Sequence, residues 1–132
     1  MIKNLPACFK NQSVVANLEG AIVHDARSFL SECKVFNSED VLPFIKNLNI
    51  KVVSIGNNHI TDATFAFSHT CNCLKPNEIS CCGAVMNRKD ASKPAMITEN
   101  GVTYAFLSFG WDVISCKYVS DGVLGVNPLE KR

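Results

Sequence analysis

The sequence predicts a mixed α/β fold with a partly parallel sheet, and three observations favour it. Short apolar runs such as VVSI stop at polar residues or a glycine, as buried strands often do. These runs alternate with segments whose apolar residues recur at helical spacing. Further along, an Asn-Gly pair separates two apolar runs, which is the pattern typical of a β-hairpin. Strands that alternate with helices indicate parallel pairing with helices packed on the sheet.

The first half of the chain predicts strand, helix and strand in that order. We expect a strand at 13–18 within SVVANLEG, and a short extended piece at 34–36. NSEDVLPFIKNLNI predicts a helix, because Ser38 is a suitable N-cap and apolar residues recur at helical spacing from Val41 to Leu48. IKVVSI predicts the next strand, and we expect residues 51–55 to lie parallel to the first strand and next to it.

The second half predicts a helix, a strand and a hairpin. We expect the helix to run from Asp62 to about Leu74, with Asp62 or Thr61 as its N-cap. ISCCGAV predicts a short strand, and NRKDASKP predicts a polar loop. AMIT and VTYAFLSF predict the hairpin strands, and the remaining tail is rich in loop-forming residues. The sequence contains no internal repeat or linker, so residues 1–132 predict a single domain.

Composition excludes several classes of function. The 132 residues are 47% apolar and 19% charged, which is typical of a globular domain. The formal net charge of +1 and the small size of the two cationic clusters, Arg88-Lys89 and Lys131-Arg132, do not suggest a nucleic-acid partner. No glycine-rich phosphate-binding loop occurs, so we expect no nucleotide cofactor. We expect a cytoplasmic protein as the chain is written, because it shows no signal peptide and no apolar run near the roughly 20 residues that span a bilayer.

The cysteines and two of the three histidines give no metal-binding motif. Seven cysteines, an odd number, favour reduced thiols over a disulfide framework. The CNC and CC pairs lack the spacing of structural zinc sites, so buried or incidental thiols are the favoured interpretation. His24 has no partner at motif spacing and is expected at the surface, while His69 is expected to be packed or solvated within its helix.

Polar side chains follow the two predicted parallel strands where each strand ends. In NLEG, Asn17 and Glu19 are two residues apart, so on a strand they share one face and converge on one ligand or on nearby backbone. In GNNHITD, Asn58 offers a neutral oxygen and His59 a nitrogen ligand or a proton donor. Ligands bind at the carboxyl ends of strands in open α/β sheets. We therefore expect Asn17, Glu19, Asn58 and His59 to cluster at one edge of one sheet.

Asp62 has two interpretations that the residues alone leave open. It follows His59 by three positions, which suits a proton-transfer or ligand role. It also lies where the next helix needs an N-cap, a position that aspartate favours.

These motifs, in this order, resemble the CapA family of bacterial capsule and poly-γ-glutamate synthesis proteins. The family pattern is NLE followed some tens of residues later by NNHxxD, present here at 17–19 and 57–62. A turn and a later strand of the family resemble CGA at 82–84 and NGVTYAFL at 100–107. The resemblance covers about residues 14–129, and the family domain is similar to calcineurin-like metallophosphoesterases.

The resemblance implies part of a metallophosphatase-like α/β/β/α sandwich that acts in making or processing an anionic surface polymer. It implies His59 and Asp62 as catalytic residues, Glu19 and Asn58 as metal ligands, and Asn17 and Asn57 as substrate-binding residues. The implied cofactor is a divalent metal (Mn, Mg, Fe or Zn), and the implied activity is a metal-dependent hydrolase or transferase. The implied partners are a polysaccharide or polyglutamate-type substrate and other capsule-synthesis proteins. A non-catalytic binding domain and a phosphoesterase of unrelated biology are the alternatives.

Two features of the family are missing from the 132 residues. Family members usually have a strand ending in Gly-Asp ahead of NLE, and a His-Trp-Gly-like segment further on. We therefore expect residues 1–132 to be a single CapA-like domain that is incomplete at both ends, whose full-length relatives include anchored or exported proteins.

Overall fold

The computed structural model describes residues 8–25 and 35–130. In chain order its helices and strands are α1 (Cys8–Asn11), β1 (Val14–Asn17), β2 (Ala21–Val23), β3 (Phe36–Ser38), α2 (Val41–Asn47), β4 (Ile50–Ser54), α3 (Phe67–Leu74), β5 (Ser80–Cys82), β6 (Ala84–Val85), α4 (Arg88–Ala91), β7 (Ala95–Glu99), β8 (Val102–Phe106) and β9 (Gly125–Val126). The predicted mixed α/β class with a partly parallel sheet is confirmed.

A parallel sheet of three strands, in the order β1-β4-β5, positions the polar strand ends. Asn17 of β1 pairs with Ser54 of β4, and Ser54 pairs with Cys82 of β5. The expected parallel pairing of the first two strands is therefore confirmed. Because the three strands end in register, the segments that follow them leave the sheet at one edge.

The two faces of this sheet are buried by different layers. Val53 of β4 and Ile55 just beyond it belong to the main core, which also contains Ile22 of β2 and Leu74 of α3. Val52, one residue before Val53, packs with Ala95 of β7 in a second, smaller core. Successive side chains of a strand point to opposite faces, so β4 is buried on both. Helices and β2 cover one face, and the β7–β8 hairpin covers the other.

The helix expected from Asp62 begins later than the sequence indicates. Two 3-10 turns, Asn58–Thr61 and Thr64–Ala66, precede α3, and neither Asp62 nor Thr61 is the N-cap of α3 or of either turn. The capping prediction is therefore wrong. Ile60, Ala63 and Ala66 are all buried and lie three residues apart. A 3-10 helix has three residues per turn, so this spacing favours 3-10 geometry before the α-helix starts.

Smaller elements also differ from expectation. Ser38 belongs to β3 rather than capping α2, whose N-terminus has no side-chain cap. The expected loop at 87–94 contains α4, where Asn87 Oδ1 accepts a hydrogen bond from the Asp90 amide at 3.0 Å. β2 was not anticipated, although all three of its residues are buried. The hairpin of β7 and β8 is antiparallel as expected, and its turn places Asn100 and Gly101 at positive φ.

Among the described residues, no helix is long and apolar enough to cross a lipid bilayer.

Candidate functional site

Asn57 ties the two motifs together at the carboxyl edge of the parallel sheet. Its Nδ2 donates to the Leu18 carbonyl at 2.9 Å and to Asn17 Oδ1 at 3.2 Å. Its Oδ1 accepts from the Gly20 amide at 3.2 Å. Asn57 is only 8% exposed, and both ends of its side-chain amide are hydrogen-bonded to residues at the end of β1 and just after it. The Asn57 side chain, just beyond β4, thus holds the backbone of residues 18–20 where it leaves β1. We call this set of hydrogen bonds the Asn57 clamp.

The Asn17 and Glu19 side chains converge, as their spacing on one face predicts. Asn17 Nδ2 donates to Oε2 of Glu19. The Glu19 carbonyl accepts from Asn37 Nδ2 at 2.8 Å, which anchors the residue from β3. Asn17 is exposed and Glu19 half-buried, so the carboxylate is held at the surface of the sheet edge.

His59 and Asp62 form a hydrogen-bonded pair within and just after the first 3-10 turn. His59 Nδ1 lies 2.8 Å from Asp62 Oδ2, and the same oxygen accepts from the Val35 amide at 3.2 Å. An ionised carboxylate only accepts hydrogen bonds, so Nδ1 of His59 carries a proton. Nε2 is then the ring nitrogen that remains for a ligand or a proton. Asp62 orients His59 in the way that a carboxylate orients a catalytic or metal-binding imidazole.

Asn58 lies between the Asn57 clamp and the His59–Asp62 pair. It is half-buried at the start of the 3-10 turn, and its side chain has no hydrogen-bonding partner among residues 8–25 and 35–130. We call Asn17, Glu19, Asn57, Asn58, His59 and Asp62 the strand-end site. The expected placement of both motifs at one sheet edge is confirmed, and the chemical roles of the residues stay predictions.

Three backbone segments pack closely around Gly56, next to this site. A Cβ on Gly56 would lie 2.5 Å from Ser108 Oγ and 2.9 Å from the Gly83 carbonyl oxygen. Ser108 Oγ is in turn 2.7 Å from Ser54 Oγ, and Gly83 accepts from the Asn127 amide at 2.8 Å. Gly56 is therefore required by space, because the segments after β4, β5 and β8 meet there.

Ser108 and Asn127 were missed by the sequence analysis. Asn127 is 5% exposed and donates from Nδ2 to the Ser108 carbonyl at 3.3 Å. Neither residue lies in a recognisable motif, and both are far from NNHITD in sequence. Gly56, the glycine after VVSI, is the one signal in the sequence that could have pointed to them, because a glycine at a strand can mark a close approach of other backbone.

Two residues of the strand-end site carry the oxygen donors that hard divalent ions prefer, and ion binding by them stays a prediction. Glu19 supplies a carboxylate and Asn58 a neutral amide oxygen, while Mg²⁺ is commonly held by one or two carboxylates and several waters. Asp62 already bonds both His59 and the Val35 amide. A two-metal centre needs more anionic ligands than this arrangement offers.

One groove lies away from the strand-end site, among other described residues. This groove of about 790 Å³ is lined by residues that include Cys71, Leu74, Ile79, Cys81 and Met96. Ile79 and Ser80 lie at the start of β5, so this groove is near the amino ends of the parallel strands, away from the strand-end site. The polar residues at the strand ends are the better candidates for a functional site, because ligands of parallel sheets bind at the carboxyl ends of the strands.

Comparison with known proteins agrees with the motifs. The family model described as bacterial capsule synthesis protein PGA_cap matches residues 3–128 of this 132-residue chain. No curated protein shows a significant match. The family match spans nearly the whole chain, including both NLEG and NNHITD, and confirms the resemblance on which the site was predicted. The chain therefore belongs to the bacterial capsule synthesis protein family PGA_cap.

Proposed function

We propose that the strand-end site binds and processes an anionic capsule polymer of the polyglutamate or acidic polysaccharide type, with His59 as its proton-transfer residue. The family match supports a role in capsule synthesis. The finer proposal rests on one observation, the 2.8 Å contact between His59 Nδ1 and Asp62 Oδ2.

This contact suits proton transfer for a simple reason. Because Nδ1 donates to Asp62, the imidazole ring has a fixed orientation and Nδ1 keeps its proton. Nε2 can then gain or lose a proton by itself. A protonated Nε2 donates to an anionic or carbonyl oxygen of the polymer, and a neutral Nε2 accepts from an attacking hydroxyl or amine. Hydrolysis and transfer both use these two steps.

A single divalent ion would complement the imidazole. Glu19 and Asn58 are the residues that would hold it, and a bound Mg²⁺ or Mn²⁺ would supply Lewis-acid stabilisation of negative charge on the polymer. Asn17 fixes the Glu19 carboxylate, and the Asn57 clamp fixes the whole segment at the sheet edge. A contact between Asn57 and the substrate stays a prediction, since its amide is occupied in this arrangement.

The test is binding of fluorescently labelled poly-γ-glutamate in the presence of Mg²⁺ or Mn²⁺, followed by fluorescence anisotropy. We expect His59→Ala to weaken binding by about 10- to 150-fold, because it removes a hydrogen bond to a charged group worth roughly 1.5–3 kcal/mol. Thr103→Ala, on the exposed β8 strand, is the matched control and should bind as the wild type does. Equal affinity in all three proteins would refute the role of His59.

The same samples distinguish processing from binding alone. Polymer length after incubation, measured by gel electrophoresis, should change with the wild type and with Thr103→Ala but not with His59→Ala. Binding without any change of length would favour the non-catalytic alternative, a domain that holds the polymer for other capsule-synthesis proteins.

A further inference from the structure

A second cluster of ligand-type side chains lies outside the strand-end site. Oε1 of Glu39 is 2.8 Å from His24 Nδ1 and 2.9 Å from His69 Nε2. The ligand atoms of the three residues all lie within 4.8 Å of one another. Among the described residues, no other group of three or more His, Cys, Asp or Glu side chains converges in this way.

Three elements from distant parts of the sequence build this cluster. His24 directly follows β2, Glu39 lies between β3 and α2, and His69 is on α3. The pairing of β2 with β3 brings the first two together, and the packing of α3 on β2 brings the third. The cluster is thus held by the same buried contacts that hold the core, and its geometry does not depend on a flexible loop alone.

The geometry points to a zinc-binding site formed by His24, Glu39 and His69. Two imidazoles and a carboxylate are the ligand set of many zinc sites that keep a position open for water or substrate. A tetrahedral ion with bonds of about 2.0–2.1 Å places its ligand atoms about 3.3 Å apart. Around such an ion the 2.8 and 2.9 Å contacts of Glu39 Oε1 would lengthen by about half an ångström, and the two imidazole nitrogens already lie within 4.8 Å of each other.

Neighbouring groups favour zinc over harder cations. Cys73 Sγ lies 3.4 Å from His69 Nε2, one helical turn further along α3. A soft thiol beside the His69 imidazole suits Zn²⁺ and disfavours Mg²⁺ or Ca²⁺, which prefer oxygen ligands. His24 has a side chain that is 84% exposed, so the open side of the cluster faces solvent and gives an entry path.

The alternative is a plain network in which Glu39 bridges two imidazoles. Such a network needs no ion, and zinc would then bind weakly or only to the thiols. The distinction is experimental, and it is independent of the proposed function because none of the three residues belongs to the strand-end site.

The experiment uses the three histidines of the chain as separate reporters. Zinc is added to the full chain in a phosphine reductant, and the imidazole ¹⁵N signals are followed by NMR. We expect the His24 and His69 signals to shift and saturate at one equivalent of Zn²⁺, and the His59 signal reports separately on the strand-end site. Unchanged His24 and His69 signals at one equivalent would overturn the proposal, including the case where zinc binds thiols alone.

Calorimetric titration with Zn²⁺ supplies the second measurement. His24→Ala and Glu39→Gln should each weaken zinc binding by about tenfold or more, since even residues that only support a ligand often change affinity 10–100-fold. His24 is largely exposed, so its removal leaves the core intact. Thr103→Ala, on the exposed β8 strand, is the control and should keep the wild-type zinc affinity. Affinities of His24→Ala and Glu39→Gln within twofold of the wild type would refute the site.

Discussion

Asn57 shows why a buried amide can be more informative than an exposed charge. A buried polar group is tolerated only when its hydrogen bonds are satisfied, and Asn57 satisfies both ends of its amide with residues of the NLEG segment. Asn57 and Asn58 are adjacent in sequence, and the resemblance implies substrate binding for the first and metal binding for the second. Their burial and partners separate them into a structural clamp and an available donor.

The first prediction compares these two asparagines. Asn57→Ala should lower the free energy of unfolding by about 1–3 kcal/mol, because it leaves the Gly20 amide and the Leu18 carbonyl without partners. Asn58→Ala removes no hydrogen bond between described side chains and should stay within about 0.5 kcal/mol of the wild type. Urea denaturation measures both. Similar losses for the two variants would contradict the clamp.

The second prediction concerns the thiols that line the groove near the amino ends of the parallel strands. A hydrogen bond from the Cys81 thiol favours the Cys71 thiolate and lowers the pKa of Cys71 from 9.0 to about 7. The same hydrogen bond, together with burial, raises the pKa of Cys81. Alkylation of Cys71 by iodoacetamide, resolved by mass spectrometry, should therefore rise with pH around a midpoint near 7.

The matched variants are Cys81→Ala and Cys81→Ser. Loss of the donor in Cys81→Ala should raise the midpoint of Cys71, so less of the thiol is ionised at pH 7 and alkylation slows. A thiolate of higher pKa is a stronger nucleophile, which offsets part of this loss, and the rate at pH 7 should fall roughly fivefold. Cys81→Ser keeps a hydroxyl donor and should retain most of the shift. A midpoint that is unchanged in Cys81→Ala would show that Cys81 is not the cause.

At the scale of elements, a single threonine joins α3 to β2. Thr70 is fully buried, and its Oγ1 accepts from the Ile22 amide at 2.8 Å while donating to the Ala66 carbonyl at 2.9 Å. The hydroxyl thus supplies a hydrogen bond to β2, which pairs with β3 and lies outside the three-stranded sheet of β1, β4 and β5. β2 is too short to be stable alone, so this link from the helix contributes to its position.

The third prediction tests this link. Thr70→Val keeps the shape of the side chain and removes the hydroxyl, so the Ile22 amide is left buried without a partner. We expect a loss of about 1–3 kcal/mol in the free energy of unfolding, measured by urea denaturation. Thr70→Ser keeps the hydroxyl and loses one methyl group, which should cost about 1 kcal/mol. A Thr70→Val protein at least as stable as Thr70→Ser would contradict the argument.

The elements that the sequence predicted correctly are those set by local patterns. The strands around residues 14–17 and 50–54 and the hairpin at 95–106 follow from apolar runs and an Asn-Gly turn. The start of α3 was misplaced, because Asp62 fits an N-cap in the sequence while its carboxylate is used by His59 and the Val35 amide. A competing partner elsewhere in the fold cannot be seen in a local pattern.

For the whole molecule, the pairing of β1 with β4 was predictable from the sequence. The contacts that other segments make beside these strands were not. The motifs at two strand ends indicated the shared sheet edge, because parallel strands bring their carboxyl ends together. Ser108 and Asn127, which pack beside that edge, reach it through the hairpin and the tail. The cluster of His24, Glu39 and His69 depends on β2, which the sequence did not reveal.

The fourth prediction concerns phosphoester chemistry in the whole chain. We expect little or no hydrolysis of p-nitrophenyl phosphate or its bis-ester with Mn²⁺, Mg²⁺ or Zn²⁺, because the described strand-end site offers too few anionic ligands for two ions held roughly 3.5–4 Å apart. The assay compares the wild type with His59→Ala. Robust turnover that disappears in His59→Ala would mean that the site is a complete phosphoesterase centre.

The clamp and the threonine link also determine which backbone protons are shielded from solvent. The amides of Gly20 and Ile22 are held by the side chains of Asn57 and Thr70, which are 37 and 48 residues away in sequence. Neither amide is protected until those distant segments have docked. Slow deuterium exchange at these two positions would therefore report closure of the long-range contacts themselves, separately from the exchange of amides in the sheet ladders.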